Sequence, residues 1–151
     1  MALAWCDAAL SAEPTPTSLA FGVLGTCTTT FDDMTYTLQT VRLLMPSAHS
    51  LWCSPSPLEV QFIHEAECGN RLMLAALFRE GEPNPDVHAA LTSLLSGRMP
   101  VRLIDLVPLC RTFFVHDASH PERGKQAREM HMISAAEMSI SSEQLAHLRA
   151  R

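Results

Sequence analysis

The chain has no run of the about 18 apolar residues that a membrane-spanning helix needs. It has no surplus of positive charge either. Eleven basic side chains against sixteen acidic ones leave a net charge of −5, which argues against a nucleic-acid-binding surface. Its five cysteines, Cys6, Cys27, Cys53, Cys68 and Cys110, include no C-x-x-C pair, and an odd number leaves at least one thiol unpaired within the chain. Small buried or half-buried thiols are the favoured reading, although a hairpin could bring Cys53 and Cys68 together. The opening Met1-Ala-Leu-Ala-Trp-Cys-Asp7 lacks the basic n-region and long apolar h-region of a secretory signal. Internal repeats are absent. What is present is ordinary for a single globular domain: 151 residues, 47% of them hydrophobic and 18% charged, enough to bury roughly two-thirds of the unfolded surface.

Residues 1–18 end in a Pro/Thr stretch that reads as an extended N-terminal arm, with the domain proper over 19–151. Leu19 to Phe31 suits one or two short strands, and Asp32-Asp33 reads as a turn. Tyr36 to Met45 reads as a strand with Tyr36, Leu38, Thr40, Arg42 and Leu44 on one face and Thr37, Gln39, Val41, Leu43 and Met45 on the other. Leu58 to His64 alternates most clearly, setting Leu58, Val60 and Phe62 against Glu59, Gln61 and Ile63. Across a Cys68-Gly-Asn70 turn, the apolar run Arg71–Phe78 reads as the second strand of a hairpin, buried on both faces. A helix is expected over about 84–96, with Asn84 as N-cap, Pro85 in the first turn, a Val87/Leu91/Leu94/Leu95 stripe and Gly97 at the end. Val101–Leu109 and Thr112–His116 read as strand or extended pieces, 117–128 as a polar loop, and Met130–Ser134 as a last strand. Ser141-Ser-Glu-Gln144 is a capping box opening a second helix over about 142–149. The expectation is a mainly β fold, a twisted, largely antiparallel sheet with two short helices.

Several of these segments carry a family pattern. Tyr36-Thr-Leu-Gln-Thr-Val-Arg-Leu-Leu-Met-Pro-Ser-Ala-His49 resembles the Y-x-L-x-Q-F-H-F-H-x-P-S-E-H segment of the α-carbonic anhydrases. Leu58-Glu-Val-Gln-Phe-Ile-His64 resembles their L-E-x-H-x-V-H, and Leu72 to Gly81 their L-A-V-x-x-x-F-x-x-G. Leu106-Val-Pro108 and Ser139 to Leu145 resemble the later L-L-P and I-S-x-x-Q-L blocks. The blocks are collinear from residue 36 to the C-terminus. The resemblance implies the α-carbonic anhydrase sheet, abbreviated at its N-terminal side, because no W-x-Y or Q-S-P-I motif precedes residue 36.

The resemblance also implies where zinc would sit, and there the sequence departs from it. Arg42, Leu44 and Gln61 occupy the positions of the three zinc-ligand histidines. A guanidinium offers no lone pair, leucine has no donor atom, and glutamine alone is a poor ligand. Of the supporting residues, the P-S-E-H acid is Ala48, whereas His49 and Glu59 are retained. No threonine after Thr112 can stand for the one that orients the family's zinc-bound hydroxide. Arg42 is expected to sit where the metal would be and to pair with Glu59 or hydrogen-bond Gln61. His116, His120 and His131 lie near the old active-site loop, but Pro121 and Gly124 argue against a helix that would align His116 with His120 on a metal.

These departures point to a non-catalytic protein with no cofactor, kept as a structural or interaction subunit of a larger, organellar complex (chloroplast or mitochondrion), its partners being other protein subunits. Two alternatives remain. One is a module that holds a small, bicarbonate-like anion in the emptied site; the other is a zinc-dependent CO2 hydratase with rebuilt ligands.

Overall fold

In the computed structural model the described residues are 1–5, 9–14, 19–51, 54–97, 100–109, 111–119 and 128–150. Cys6, Cys53, Cys110, His120, Pro121, Gly124 and the end of the Pro/Thr stretch lie outside them. Among the described residues twelve strands form: β1 Ala2–Ala4, β2 Ala9–Pro14, β3 Leu19–Leu24, β4 Thr28–Phe31, β5 Met34–Leu44, β6 Ser50–Leu51, β7 Ser54–Pro55, β8 Leu58–Glu65, β9 Arg71–Glu80, β10 Phe113–Asp117, β11 Glu129–Ser134 and β12 Met138–Ile140. All but β6 and β7 join one sheet, whose main path runs β1-β4-β5-β8-β9-β11-β10. Every pairing is antiparallel except β9 with β11 and β9 with β12, which are parallel.

The local signals explain most of these elements. Asp32 and Asp33 both take positive φ, 51° and 60°, so the β4–β5 hairpin closes in a two-residue turn of acidic residues that tolerate that region. Gly69, at φ 89°, turns β8 into β9. The β9 run Leu72–Phe78 is buried throughout, as its unbroken apolar composition requires. Helix α1, Pro85–Ser96, starts where the Asn84 side chain accepts hydrogen bonds from the amides of Asp86 and Val87, and it stops at Gly97 in the left-handed region. Val87, Ala90, Leu91 and Leu94 are its buried residues. Helix α2, Ser142–Arg149, opens with the reciprocal Ser141/Gln144 capping box.

The main core lies on the face of the sheet that α1 covers. It is built from Val41, Leu43, Leu58, Val60, Phe62, Leu74, Ala76 and Phe78, with Val87, Leu91 and Leu94 above them. Three expectations are corrected here. The alternation of β5 is broken by a bulge at Gln39, between the Leu38–His64 and Thr40–Ile63 pairs. One extra residue reverses the faces beyond it, so Tyr36 and Leu38 share the buried face with Val41 and Leu43 rather than with Arg42 and Leu44. The segment 101–109 is not a strand; Leu103–Leu106 is a 3-10 turn whose two leucines, three residues apart, both point into the core. Met138–Ile140 adds a short strand beside β9 that the sequence pattern does not single out. The stretch expected as an arm is extended, and β1 and β2 hydrogen-bond into the sheet against β4 and β3.

Candidate functional site

On the sheet face away from the α1 core, β5 and β8 place Arg42 directly opposite Gln61 and Leu44 opposite Glu59; β9 continues these rows with Ala75 and Leu77. Directly opposed residues of an antiparallel pair share a face, so Arg42, Leu44, Gln61 and Glu59 do lie together. The Gln39 bulge puts them there: without it Val41 and Leu43 would occupy this face.

Glu59 is the centre of the polar arrangement and is fully buried. One of its oxygens accepts the His49 backbone N–H at 2.9 Å, and both face His49 Nδ1, at 3.1 and 2.9 Å. The second oxygen also accepts the Gln61 side-chain amide at 2.5 Å. Burial pushes the Glu59 carboxyl up, but the hydrogen bonds from the His49 side chain, the His49 backbone and Gln61 together outweigh it and hold the carboxyl below the usual carboxylate range. His49 is brought in by the short loop after β5. That loop is pinned by the Ser47 amide on the Ser56 carbonyl and by the Ser56 amide on the Ser47 hydroxyl, while the Ser56 hydroxyl bonds Glu137. Ala48, expected at the position of the family's acid, is exposed.

Arg42 departs from its expected role. It is half-buried and, among the described residues, makes no hydrogen bond or ion pair with Glu59 or Gln61. The lone pairs that would have received it are taken by His49 and Gln61. The side-chain donor that Glu59 receives from this face of the sheet is therefore an amide, not a guanidinium.

Two histidines that the sequence left scattered join His49. The His131 ring on β11 lies 5.8 Å from the His49 ring, edge to face, and 5.0 Å from the His116 ring, which sits directly across the β10–β11 ladder. His131 Nε2 is 3.8 Å from Glu129. Burial, more than anything else, lowers the pKa of His131; Glu129 opposes the shift, and His116 and His49 add to it. Only the parallel β9–β11 pairing brings His131 here, and no local sequence pattern announces it. Among the described residues no three His, Cys, Asp or Glu side chains are gathered so as to hold a metal ion.

His64 lies on the opposite, core face and is buried with a full set of partners. Its Nδ1 donates to the carbonyls of Phe62 and Leu72, and its Nε2 accepts from the Thr29 hydroxyl, whose oxygen in turn accepts the Trp5 indole N–H. Cys68 is a free thiol at the surface, and Cys27 is buried in the core. Two adjoining recesses of about 320 and 340 Å3 lie between α1 and α2, sharing His88, Gln144 and His147, and contain none of the site residues above.

No family model matches the chain, and no curated protein matches it in sequence. Solved structures do. The curled mixed sheet with two helices is the α-carbonic anhydrase fold. The α-carbonic anhydrase of Photobacterium profundum superposes with a TM-score of 0.81 at 21% identity, over 99% of this chain and 72% of that one. The Thermovibrio ammonificans α-carbonic anhydrase, solved with the inhibitor sulfanilamide, gives 0.80 at 19% identity, over 97% and 68%. Dioscorin complexed with ascorbate is more distant, at 0.64 and 14%, over 91% and 62%. At these identities the likeness is one of fold.

Proposed function

We propose that the chain is a non-catalytic protein of the α-carbonic anhydrase fold, retained as a structural or interaction subunit of a larger protein complex. The observation that carries the first half is what stands at the three zinc-ligand positions. The fold implies a zinc ion held by three imidazoles, and Arg42, Leu44 and Gln61 do not fit one. Two of them offer no lone pair, and the third has only an amide oxygen, a poor ligand by itself. A permanently charged guanidinium on the same face also repels a divalent cation. No step of CO2 hydration is therefore assigned to this site.

The interaction role is supported by the sheet edge at β10, which among the described residues pairs only with β11 and presents Phe114 and Val115, 55% and 44% exposed, on opposite faces. Such an edge invites another chain.

Metal analysis and a CO2-hydration assay test the first half. The native chain is expected to carry no stoichiometric zinc and to leave the hydration rate at background; zinc with activity would overturn the reading. A triple variant, Arg42→His with Leu44→His and Gln61→His, is the positive arm: because Glu59 already accepts a hydrogen bond from position 61, zinc uptake is expected to appear. Size analysis of native extracts tests the second half, and a chain that runs as a free monomer there would overturn it.

A second reading, a small-anion module, has one specific observation in its favour: Arg42 is a half-buried cation with no carboxylate within ion-pair reach among the described residues. Dioscorin, complexed with the small organic anion ascorbate, is a protein of similar fold that holds such a ligand. Bicarbonate-dependent thermal stabilisation that is lost in Arg42→Ala would favour this reading.

A further inference from the structure

At one end of the sheet, sulfur atoms from separate elements come together. Cys68 stands on the turn between β8 and β9, Met34 opens β5 just after the Asp32-Asp33 turn, and Met130 lies on β11 opposite Leu72. The Cys68 thiol is exposed and turns its S–H toward Met34 Sδ, 4.0 Å away. Met34 and Met130 both line a recess of about 90 Å3. The turn that carries Cys68 is pinned in place. Within it the Ala66 amide bonds the Asn70 carbonyl and the Gly69 amide the Ala66 carbonyl, while Asn70 Oδ1 accepts the Arg128 N–H from the chain entering β11. The Asn70 side-chain amide in turn donates to Met34 Sδ at 3.6 Å. These sulfurs pack on the cluster of Tyr36, Leu72 and Met132 and include none of the residues used in the function proposed above.

We propose that Cys68 and Met34, with Met130 as the third sulfur, form a binding site for a soft monovalent metal ion, copper(I). Thiolate and thioether sulfurs select copper(I) over harder ions. Metal–sulfur bonds of about 2.3 Å to two sulfurs 4.0 Å apart enclose an angle of about 120°, which is that of a three-coordinate ion. On binding, the Cys68 S–H bond breaks and its proton passes to water. The ion then takes the place that the proton holds between the two sulfurs, with no change of oxidation state.

The surrounding charges suit a monovalent ion. A thiolate and copper(I) cancel each other. Arg128, which lines the recess, has its guanidinium paired with Asp117 at 3.3 Å. Asp32 brings a carboxylate to the recess wall, but one carboxylate and one thiolate do not make the four-ligand set that structural zinc takes. The exposure of Cys68 leaves the thiol open to an incoming ion, and the half-buried Met34 supplies the second bond from a side chain already held by Asn70.

Anaerobic titration of the full, reduced chain with copper(I), competed by the chromophoric chelator bicinchoninate, tests this. The native chain is expected to hold copper(I) against the chelator, and Cys68→Ser to lose that tight ion. Met34→Leu and Met130→Leu, which keep the thiol, are each expected to weaken it by about tenfold or more. The other cysteines stay in every variant, so the differences report this site. An affinity unchanged in any one of the three variants would overturn the proposal, because an ordinary surface thiol needs no thioether beside it. A second measurement does not depend on the variants folding. In the native chain labelled with selenomethionine and loaded with copper(I), X-ray absorption at the selenium edge is expected to show copper bonded to selenium, and the lack of that bond would equally overturn the proposal.

Discussion

Remove the buried Glu59 carboxylate and three donors, the His49 amide, the His49 Nδ1–H and the Gln61 amide, lose their acceptor. Glu59→Leu is therefore expected to lower stability by about 3 kcal/mol, since breaking a buried pair leaves its partner's polar groups unmatched. Gln61→Leu deletes a single donor to an acceptor that keeps the others, and about 1 kcal/mol is expected; urea denaturation at pH 7.5 measures both. His64 makes a separate prediction. Burial pushes its pKa from 6.5 down to about 4, only partly offset by the Phe62 and Leu72 carbonyls. As pH falls, the unfolded chain takes up this proton first. The stabilisation is thus complete above pH 6.5 and is lost progressively down to about pH 4. Between pH 7 and pH 5 the stability should drop by about 2 kcal/mol, and His64→Gln should flatten that slope. A slope unchanged in the variant would mean that another group titrates. Glu59, whose pKa is depressed, contributes in the opposite part of the acid range: its share is present above the ordinary carboxylate pKa and lost only below it.

Among the elements, β5 shows how a single residue decides which side chains meet. Deleting Gln39 would slip the register by one and move Val41 and Leu43 out of the core while driving Arg42 in. The deleted chain is expected to show no cooperative thermal unfolding by circular dichroism. At α1, Asn84→Ala removes the acceptor for the Asp86 and Val87 amides and should cost about 1 kcal/mol in chemical denaturation. These two elements also mark where the sequence was legible and where it was not. The caps of α1 and α2 are written in side chains one to three residues from the backbone groups they serve, so local reading finds them. So is the Leu58/Val60/Phe62 alternation of β8. The bulge is not: Tyr36 to Met45 alternates acceptably in either phase, and only the pairing with β8 selects one. Likewise, Val101–Leu109 carries enough apolar residues for a strand, but Leu103 and Leu106 reach the core from a tight turn.

For the molecule as a whole, collinear family blocks carried the fold further than composition or periodicity could, but the bonds that Glu59 accepts from His49 and Gln61 were not read from them. What they missed is non-local. The contact of His131 with His49 depends on β11 lying parallel to β9, a partner far upstream, and no short-range pattern encodes a parallel crossover. The same pairing bears on the order in which the sheet is assembled. Strand β9 has the longest unbroken run of buried apolar residues among the described strands, Leu72–Phe78, and its inner edge closes at once on β8 through a tight turn; its outer edge has no partner until residues 129–140 supply β11 and β12. A chain still being made, or one interrupted before residue 129, carries a long apolar strand with one edge open. Such truncated chains are expected to pellet where the full chain stays in the supernatant, and nascent chains should gain protease resistance only once β12 has left the ribosome. The dependence of early residues on late ones makes the C-terminal quarter the step that commits this protein to its fold.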